Sequence, residues 1–316
     1  MPLKLSALKS KTWLMDHRAL IGLLVFVLIV SVLNPNFLTI NNILNVLRQI
    51  SVNFVLAMGM TFVILAGGID LAVGSLLAFA GVVFADLIVG GQSLGLAVFL
   101  VLLLGLLVGI LSGALISYCK LQPFILTLIG MTLFRGLTMI FTAGKPITIN
   151  GDHSALDLLG SGSVWGVPIP VYLMALVFTA SWYTLHHTRI GRYVYALGGN
   201  EEAAFLSGIN TRRVKMFTYG VSGLLSALGA VILTSRLFSA QPNAGSGYEL
   251  DAIAAVVLGG TSLAGGSGKV WGTLQGVLIL GLLGNALNIL NVTSYYQMVI
   301  KAAVILVAVL SDRIEK

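Results

Sequence analysis

Long stretches without a charged residue are the feature that most restricts how this chain can fold. Four such runs contain 29 residues between Arg18 and Arg48, 33 between Asp86 and Lys120, 31 between Asp157 and Arg189, and 31 between Lys269 and Lys301. A helix that spans a bilayer needs about 20 mostly apolar residues. Strands of a membrane barrel would alternate apolar and polar residues, and the run Leu100 to Leu107 does not. We therefore predict membrane-spanning helices.

The amount of charge supports the same class of protein. Charged side chains make up 9% of the residues, whereas a soluble domain carries about 25%. The net charge of +7 is spread over short segments between apolar runs, so it indicates membrane topology and no nucleic-acid partner. The four histidines and the single cysteine, Cys119, form no metal-ligand or nucleophile–base pattern. We expect no cofactor, no metal site and no catalytic site.

The apolar stretches predict one all-α polytopic membrane domain, 1–316, with both termini in the cytoplasm. The ten predicted helices are 19–33, 50–66, 71–89, 94–118, 123–141, 168–186, 215–235, 250–260, 270–289 and 295–311. This topology places 13 of the 18 basic residues on the cytoplasmic side and only Arg48, Lys145 and Arg236 outside. Three segments lie outside the membrane: a cytoplasmic N-terminal segment 1–18, an outer loop 142–167 and an inner loop 187–214.

Two glycine-rich segments interrupt the predicted helices. Gly67 to Gly74 and Gly259 to Gly266 agree at five of eight positions, which leaves an internal duplication open. The second follows the helix 250–260, which is too short to cross a bilayer and is expected to be re-entrant. Broken helices of this kind are typical of a transport path.

The inner loop contains the signals of one short helix. Asn200 is a good N-cap, Glu201 and Glu202 place negative charge at the positive end of the helix dipole, and Gly208 can adopt the left-handed conformation that ends a helix. Such a short helix is unstable alone, so it must dock on a partner or lie at the lipid headgroups. Its small residues favour docking in a groove.

Several motifs resemble one family of transporters. Glu202-Ala203-Ala204, followed after three residues by Gly208, is similar to the coupling-loop motif of the membrane subunits of ATP-binding-cassette importers. The segments 67–74, 196–200, 206–209, 239–242 and 249–266 resemble the monosaccharide permease branch of these importers, and the resemblance extends from about Trp13 to Ala308. It assigns Asn200, Glu201, Glu202, Ala203, Ala204, Ser207 and Gly208 to an ATPase-coupling helix.

The resemblance also implies the partners and the location. It implies a homodimer in the bacterial inner membrane, surrounded by lipid, with a cytoplasmic ATPase that has paired nucleotide sites. A periplasmic sugar-binding protein would deliver the monosaccharide, ribose in particular. The chain itself is not expected to bind ATP, because Leu263 stands where a phosphate loop requires glycine and Val270 stands where it requires Ser or Thr. The resemblance implies that segment 187–214 is a coupling loop and that segment 142–167 is a periplasmic loop.

Polar residues within the apolar stretches have two interpretations. Asp70, Glu249 and Asp251 either accept hydrogen bonds from sugar hydroxyls or cap the helices that they precede, and we favour the capping role. Asn53, Asn285 and Asn288 are further candidates for the path, although they are expected to bridge helices. The glycines at four-residue spacing, Gly105, Gly109 and Gly113, predict close helix packing, and the contact between two copies is one place where such packing is expected.

A rival function follows from the same acids. In a secondary transporter coupled to protons or sodium, Asp70 or Asp251 would be the group that titrates. A membrane enzyme has no support among these residues.

Overall fold

The computed structural model describes residues 18–151 and 154–314. Its regular secondary structure is almost entirely helical, and each of the ten predicted helices has a counterpart. The thirteen helices of the described residues are α1 (Arg18–Leu33), α2 (Ile40–Leu65), α3 (Val73–Val89), α4 (Leu94–Tyr118), α5 (Pro123–Thr142), α6 (Ser154–Gly160), α7 (Ile169–His187), α8 (Arg189–Gly199), α9 (Glu201–Leu206), α10 (Thr211–Leu237), α11 (Tyr248–Leu258), α12 (Val270–Ile289) and α13 (Ser294–Ile314). The predicted N-terminal segment, apart from Arg18, lies outside the described residues, as do Asp152 and His153 of the outer loop.

Six of these helices are long and apolar enough to cross a membrane: α2, α4, α5, α7, α10 and α12. The prediction for α2 was wrong at its start, because the helix begins at Ile40 and not at residue 50. Polar residues early in this helix resembled a loop in the sequence. Arg48, predicted in an outer segment, therefore lies on α2, where its Nη2 donates to the carbonyl of Ser161 at 3.4 Å.

The inner loop contains two helices where one was predicted. The first, α8, begins after Thr188, whose hydroxyl oxygen accepts the amide of Gly191 at 3.2 Å. It buries Gly191, Val194 and Leu197, so its stability depends on packing that the local sequence does not reveal. The second, α9, is the predicted coupling helix, with six residues.

The helix α11 has 11 residues, which at about 1.5 Å per residue cover roughly half of a hydrocarbon core of about 30 Å. It therefore cannot cross a bilayer by itself. The irregular segment 241–247 precedes it and packs on the start of α3. A Cβ atom on Gly74 would lie 2.2 Å from the carbonyl oxygen of Gly245, so this contact requires glycine.

The chain divides into two compact units. The larger, 47–277, is organised around α10, which packs on α3 and α4. Short two-residue strands, β1 (Ile147–Thr148), β2 (Ser163–Val164), β3 (Val167–Pro168) and β4 (Ser239–Ala240), pair as β1 with β4 and β2 with β3. The smaller unit comprises 18–46 and 278–314 among the described residues, with Val30, Phe37 and Ala286 at its core.

Candidate coupling helix and helix-break site

The helix α9 has well-formed ends. The side-chain oxygen of Asn200 accepts the amide of Ala203 at 2.9 Å, which caps the N-terminus. The hydroxyl of Ser207 donates to the carbonyl of Ala203 at 2.8 Å, and Gly208 has a φ of 82°, the left-handed conformation that ends a helix. Glu201 forms an ion pair with Lys215 at 2.6 Å, which ties the helix to the start of α10.

The face of α9 that points away from the rest of the chain exposes two apolar residues that sequence reasoning missed. Phe205 is 66% exposed and Leu206 is 78% exposed. Of the two predicted alanines, Ala203 is exposed and Ala204 is buried against the chain itself. Glu202 is exposed beside them. An exposed Phe-Leu pair within a charged loop is the sequence signal that could have identified this surface, because isolated helices of a water-exposed loop rarely present such residues together.

Backbone contacts connect the end of α8 to the two glycine-rich segments that interrupt the helices, 67–74 and 259–266. We call Gly67, Gly198, Gly265 and Gly266 the glycine junction. The amide of Gly266 donates to the carbonyl of Leu65 at 3.0 Å, and a Cβ atom on Gly198 would lie 1.9 Å from the same oxygen. A Cβ atom on Gly265 would lie 2.9 Å from Cα of Gly67. The end of α8, immediately before α9, therefore rests directly on the two broken segments.

A tyrosine reinforces this contact. The hydroxyl of Tyr195 on α8 donates to the carbonyl of Gly268 at 3.0 Å. Burial raises the pKa of the Tyr195 hydroxyl, so the group stays protonated and can act as the donor. The amide of Gly266, in the segment that resembles a phosphate loop, is bonded to protein and does not point to open space.

Asp70 lies in the first break and is only 6% exposed. Its Oδ1 accepts the amide of Ala72 at 3.0 Å, and its Oδ2 accepts the hydroxyl of Ser222 on α10 at 2.7 Å. The helix α3 begins at Val73 and not at residue 71, so the carboxylate bonds the turn before the helix. Thr127 of α5 also donates to this break, to the carbonyl of Ile69 at 3.2 Å. Asp70 therefore joins the break to α10.

Replacing Asp70 with asparagine is expected to lower the amount of folded protein in the membrane. The amide group can accept through only one of its two polar atoms, so one of two buried hydrogen bonds is lost or mismatched, at a cost of about 1–3 kcal/mol. Ser222→Ala removes one of the same bonds and is the matched comparison. A quantitative blot beside an uptake assay checks this. Reduced turnover at normal abundance would instead place Asp70 in contact with sugar.

Glu249 and Asp251 lie in the first turn of α11. Both are partly buried. The amide of Gly247 donates to Oε1 of Glu249 at 3.3 Å, and the other carboxylate oxygen lies beside Gly74, where a Cβ atom would be 2.4 Å away. Asp251 interacts electrostatically with Tyr248. The start of α11 and the start of α3 thus meet at one carboxylate.

The three asparagines differ in their surroundings. Asn285 of α12 exchanges two amide hydrogen bonds with Asn42, each 2.9 Å long. The side-chain oxygen of Asn288 accepts from Nε2 of Gln297 on α13 at 2.8 Å. Asn53 on α2 is partly buried, and its side chain makes no hydrogen bond within the part of the chain that the structure describes. Asn285 and Asn288 therefore bridge helices, and Asn53 keeps free hydrogen-bonding groups.

The structure places Gly105, Gly109 and Gly113 against α10 of the same chain. A Cβ atom on Gly109 would lie 2.1 Å from the carbonyl oxygen of Tyr219, and one on Gly113 would lie 2.6 Å from Cα of Met216. Because α10 fills this face, it is not open to a second copy, and the suggestion that two copies meet here was wrong.

Known proteins resemble the chain over nearly its whole length. A family described as "branched-chain amino acid transport system / permease component" matches residues 42–309. The ribose import permease protein of Haemophilus influenzae is 55% identical over 95% of this chain and 94% of its own length. That of Bacillus subtilis is 56% identical over 93% and 91%. The D-allose permease protein of Escherichia coli is 39% identical over 92% and 90%.

No solved structure matches the chain. Its apolar helices and its bacterial relatives identify a multi-pass protein of the bacterial inner membrane. The chain belongs to the family of branched-chain amino acid transport system / permease components.

Proposed function

We propose that this chain is the permease subunit of an ATP-driven monosaccharide importer, with ribose as the sugar. The observation that carries the proposal is the high identity to ribose import permeases over nearly the whole chain, well above the identity to the D-allose permease. The whole chain, 1–316, forms one permease domain with both termini in the cytoplasm. Lipid surrounds its apolar outer faces.

The energy for transport reaches the chain through α9. A cytoplasmic ATPase with paired nucleotide sites binds the surface that contains Glu202, Phe205 and Leu206, one α9 from each copy of a homodimer. The exposed apolar pair supports this role, because burial in a partner would remove it from water. Movement of α9 reaches both helix breaks through the glycine junction, where backbone atoms are in direct contact.

Sugar enters from a periplasmic binding protein that docks on the outer segments. Alternation between outward-open and inward-open states of the dimer then moves the sugar across the membrane. The ion-coupled alternative requires a titrating acid on the path. The two hydrogen bonds of buried Asp70 to Ala72 and Ser222 favour a structural role for that acid.

Stimulation of ATP hydrolysis in the reconstituted complex tests the proposal. The binding protein loaded with ribose is expected to stimulate hydrolysis strongly, and the same protein presented with D-allose or xylose is expected to have little effect. Uptake should require ATP inside the vesicles. Uptake driven by a proton gradient without ATP would refute the importer and favour the ion-coupled transporter.

A further inference from the structure

The helix α5 carries an arginine at membrane depth. Arg135 is twelve residues beyond Pro123, about 18 Å along the helix at 1.5 Å per residue, and so lies well within a hydrocarbon core of about 30 Å. Only 17% of the most apolar stretch of α5 is buried within this chain, the smallest share among the six long apolar helices. A partly exposed charge at this depth must face protein or water, because lipid does not solvate it.

One nitrogen of Arg135 holds the irregular segment before α11. Its Nη1 donates to the carbonyls of Pro242 and Ala244, both at 2.9 Å. These two bonds use the N–H groups of Nη1. The N–H groups of Nε and Nη2 make no hydrogen bond to any residue in 18–151 or 154–314. A purely structural role accounts for the two bonds of Nη1 but not for the N–H groups of Nε and Nη2.

Glu249 supplies a carboxylate whose charge acts on Arg135. The two groups interact electrostatically, yet among the described residues no ion pair within 4.0 Å joins them. Oε1 of Glu249 accepts one long bond from Gly247, and the carboxylate has capacity to accept more. Side chains of Asn243 and Ser246, in the same segment, are exposed. Unused donors of Arg135 and unused acceptor capacity of Glu249 therefore lie at the same segment, 241–247.

A hydroxyl group matches this arrangement, because it accepts from a guanidinium and donates to a carboxylate at once. We propose that Arg135 and Glu249 form a step of the sugar path, at which hydroxyls of the passing monosaccharide accept from Arg135 and donate to Glu249. This inference rests on the proposed function. The segment 241–247, held by Nη1 of Arg135, forms the wall beside the step.

Chemical labelling tests whether this wall faces water. Ser246→Cys is made in a Cys119→Ser background, because Cys119 is exposed. Gly136→Cys is the matched control, since Gly136 has open space around it on the apolar face of α5. A water-soluble maleimide reacts with the thiolate, so Ser246→Cys is expected to react at least about tenfold faster than the control. Reaction at the same slow rate would overturn the proposal.

Transport measurements test the contact with sugar. Glu249→Gln leaves the Nη1 clamp in place and removes the charged acceptor, so ribose transported per ATP hydrolysed is expected to fall about tenfold, the effect of losing one charge-assisted hydrogen bond. Folded protein should stay near wild type, because a glutamine oxygen can still accept the amide of Gly247. Arg135→Lys keeps the positive charge and an ammonium that can donate to the carbonyls of Pro242 and Ala244, but it lacks the Nε and Nη2 donors, so ribose transported per ATP hydrolysed should fall in the same way.

Two outcomes separate a structural role from a failure of the proposed function. Equal losses of folded protein, hydrolysis and uptake in both variants would mean that Arg135 and Glu249 only stabilise the fold, and would overturn the inference. If the wild-type complex did not respond to ribose, the proposed function would fail. The labelling result would still decide whether the step faces water.

Discussion

Reversing the charge of Glu202 is expected to abolish sugar uptake while the amount of protein in the membrane stays unchanged. Glu202 is exposed on the first turn of α9 and forms no ion pair with the described residues, so Glu202→Lys disturbs few contacts within the chain. A lysine at this end of a helix opposes the dipole by only about 0.3–1 kcal/mol. The large effect comes from the partner, which would meet a positive charge where it binds a negative one.

Three measurements check the result: sugar uptake, a quantitative blot of the membrane fraction, and recovery of the ATPase with the purified permease. Glu201→Gln is the matched control. It removes the exposed ion pair with Lys215, which is worth about 0–1 kcal/mol, and should leave uptake within about twofold of wild type. Phe205→Asp on the same face should behave as Glu202→Lys does. Normal uptake by Glu202→Lys would refute the role of α9 in coupling.

The helix bounds predicted from the sequence were most accurate where an apolar run is bounded by proline or by charged and polar residues. The predicted bounds of α4 agree with the structure at both ends, and those of α5 differ by one residue, because Pro123 begins one helix and charged or polar residues bound both. The start of α2 was missed because its polar side chains find partners on distant elements, as Asn42 does with Asn285. A local pattern contains no information about such partners.

In the candidate site, too, the local features could be predicted from the sequence and the contacts between distant residues could not. The caps of α9 are local, so Asn200 and Gly208 could be identified from the sequence alone. The glycine junction could not, because Gly67 and Gly265 come together from positions almost 200 residues apart. The glycines of α4 predicted close packing but not which helix fills the face. Similarly, the unused donors of Arg135 become visible only when the carbonyls that Nη1 binds are known.

Replacing Gly198 with alanine is expected to impair both folding and transport, whereas the same change one residue later is expected to be silent. A Cβ atom on Gly198 would lie 1.9 Å from the carbonyl oxygen of Leu65 and 2.5 Å from the amide nitrogen of Gly266. Both are backbone atoms, so neither can rotate away as a side chain could. Overpacking of this kind costs about 1–3 kcal/mol. On Gly199 a Cβ atom would meet nothing within 4 Å.

The comparison of Gly198→Ala with Gly199→Ala therefore isolates the glycine junction from the helix that both residues share. Gly198→Ala should lower folded protein, and the molecules that do fold should transport at least about tenfold less sugar per ATP hydrolysed, because the contact between α8 and the breaks is displaced. Abundance, hydrolysis and uptake measured on the same membranes check both variants. If folded Gly198→Ala protein transported as efficiently as Gly199→Ala protein, the junction would serve packing alone, and the movement of α9 would have to reach the breaks through the ion pair of Glu201 with Lys215 and the helix α10.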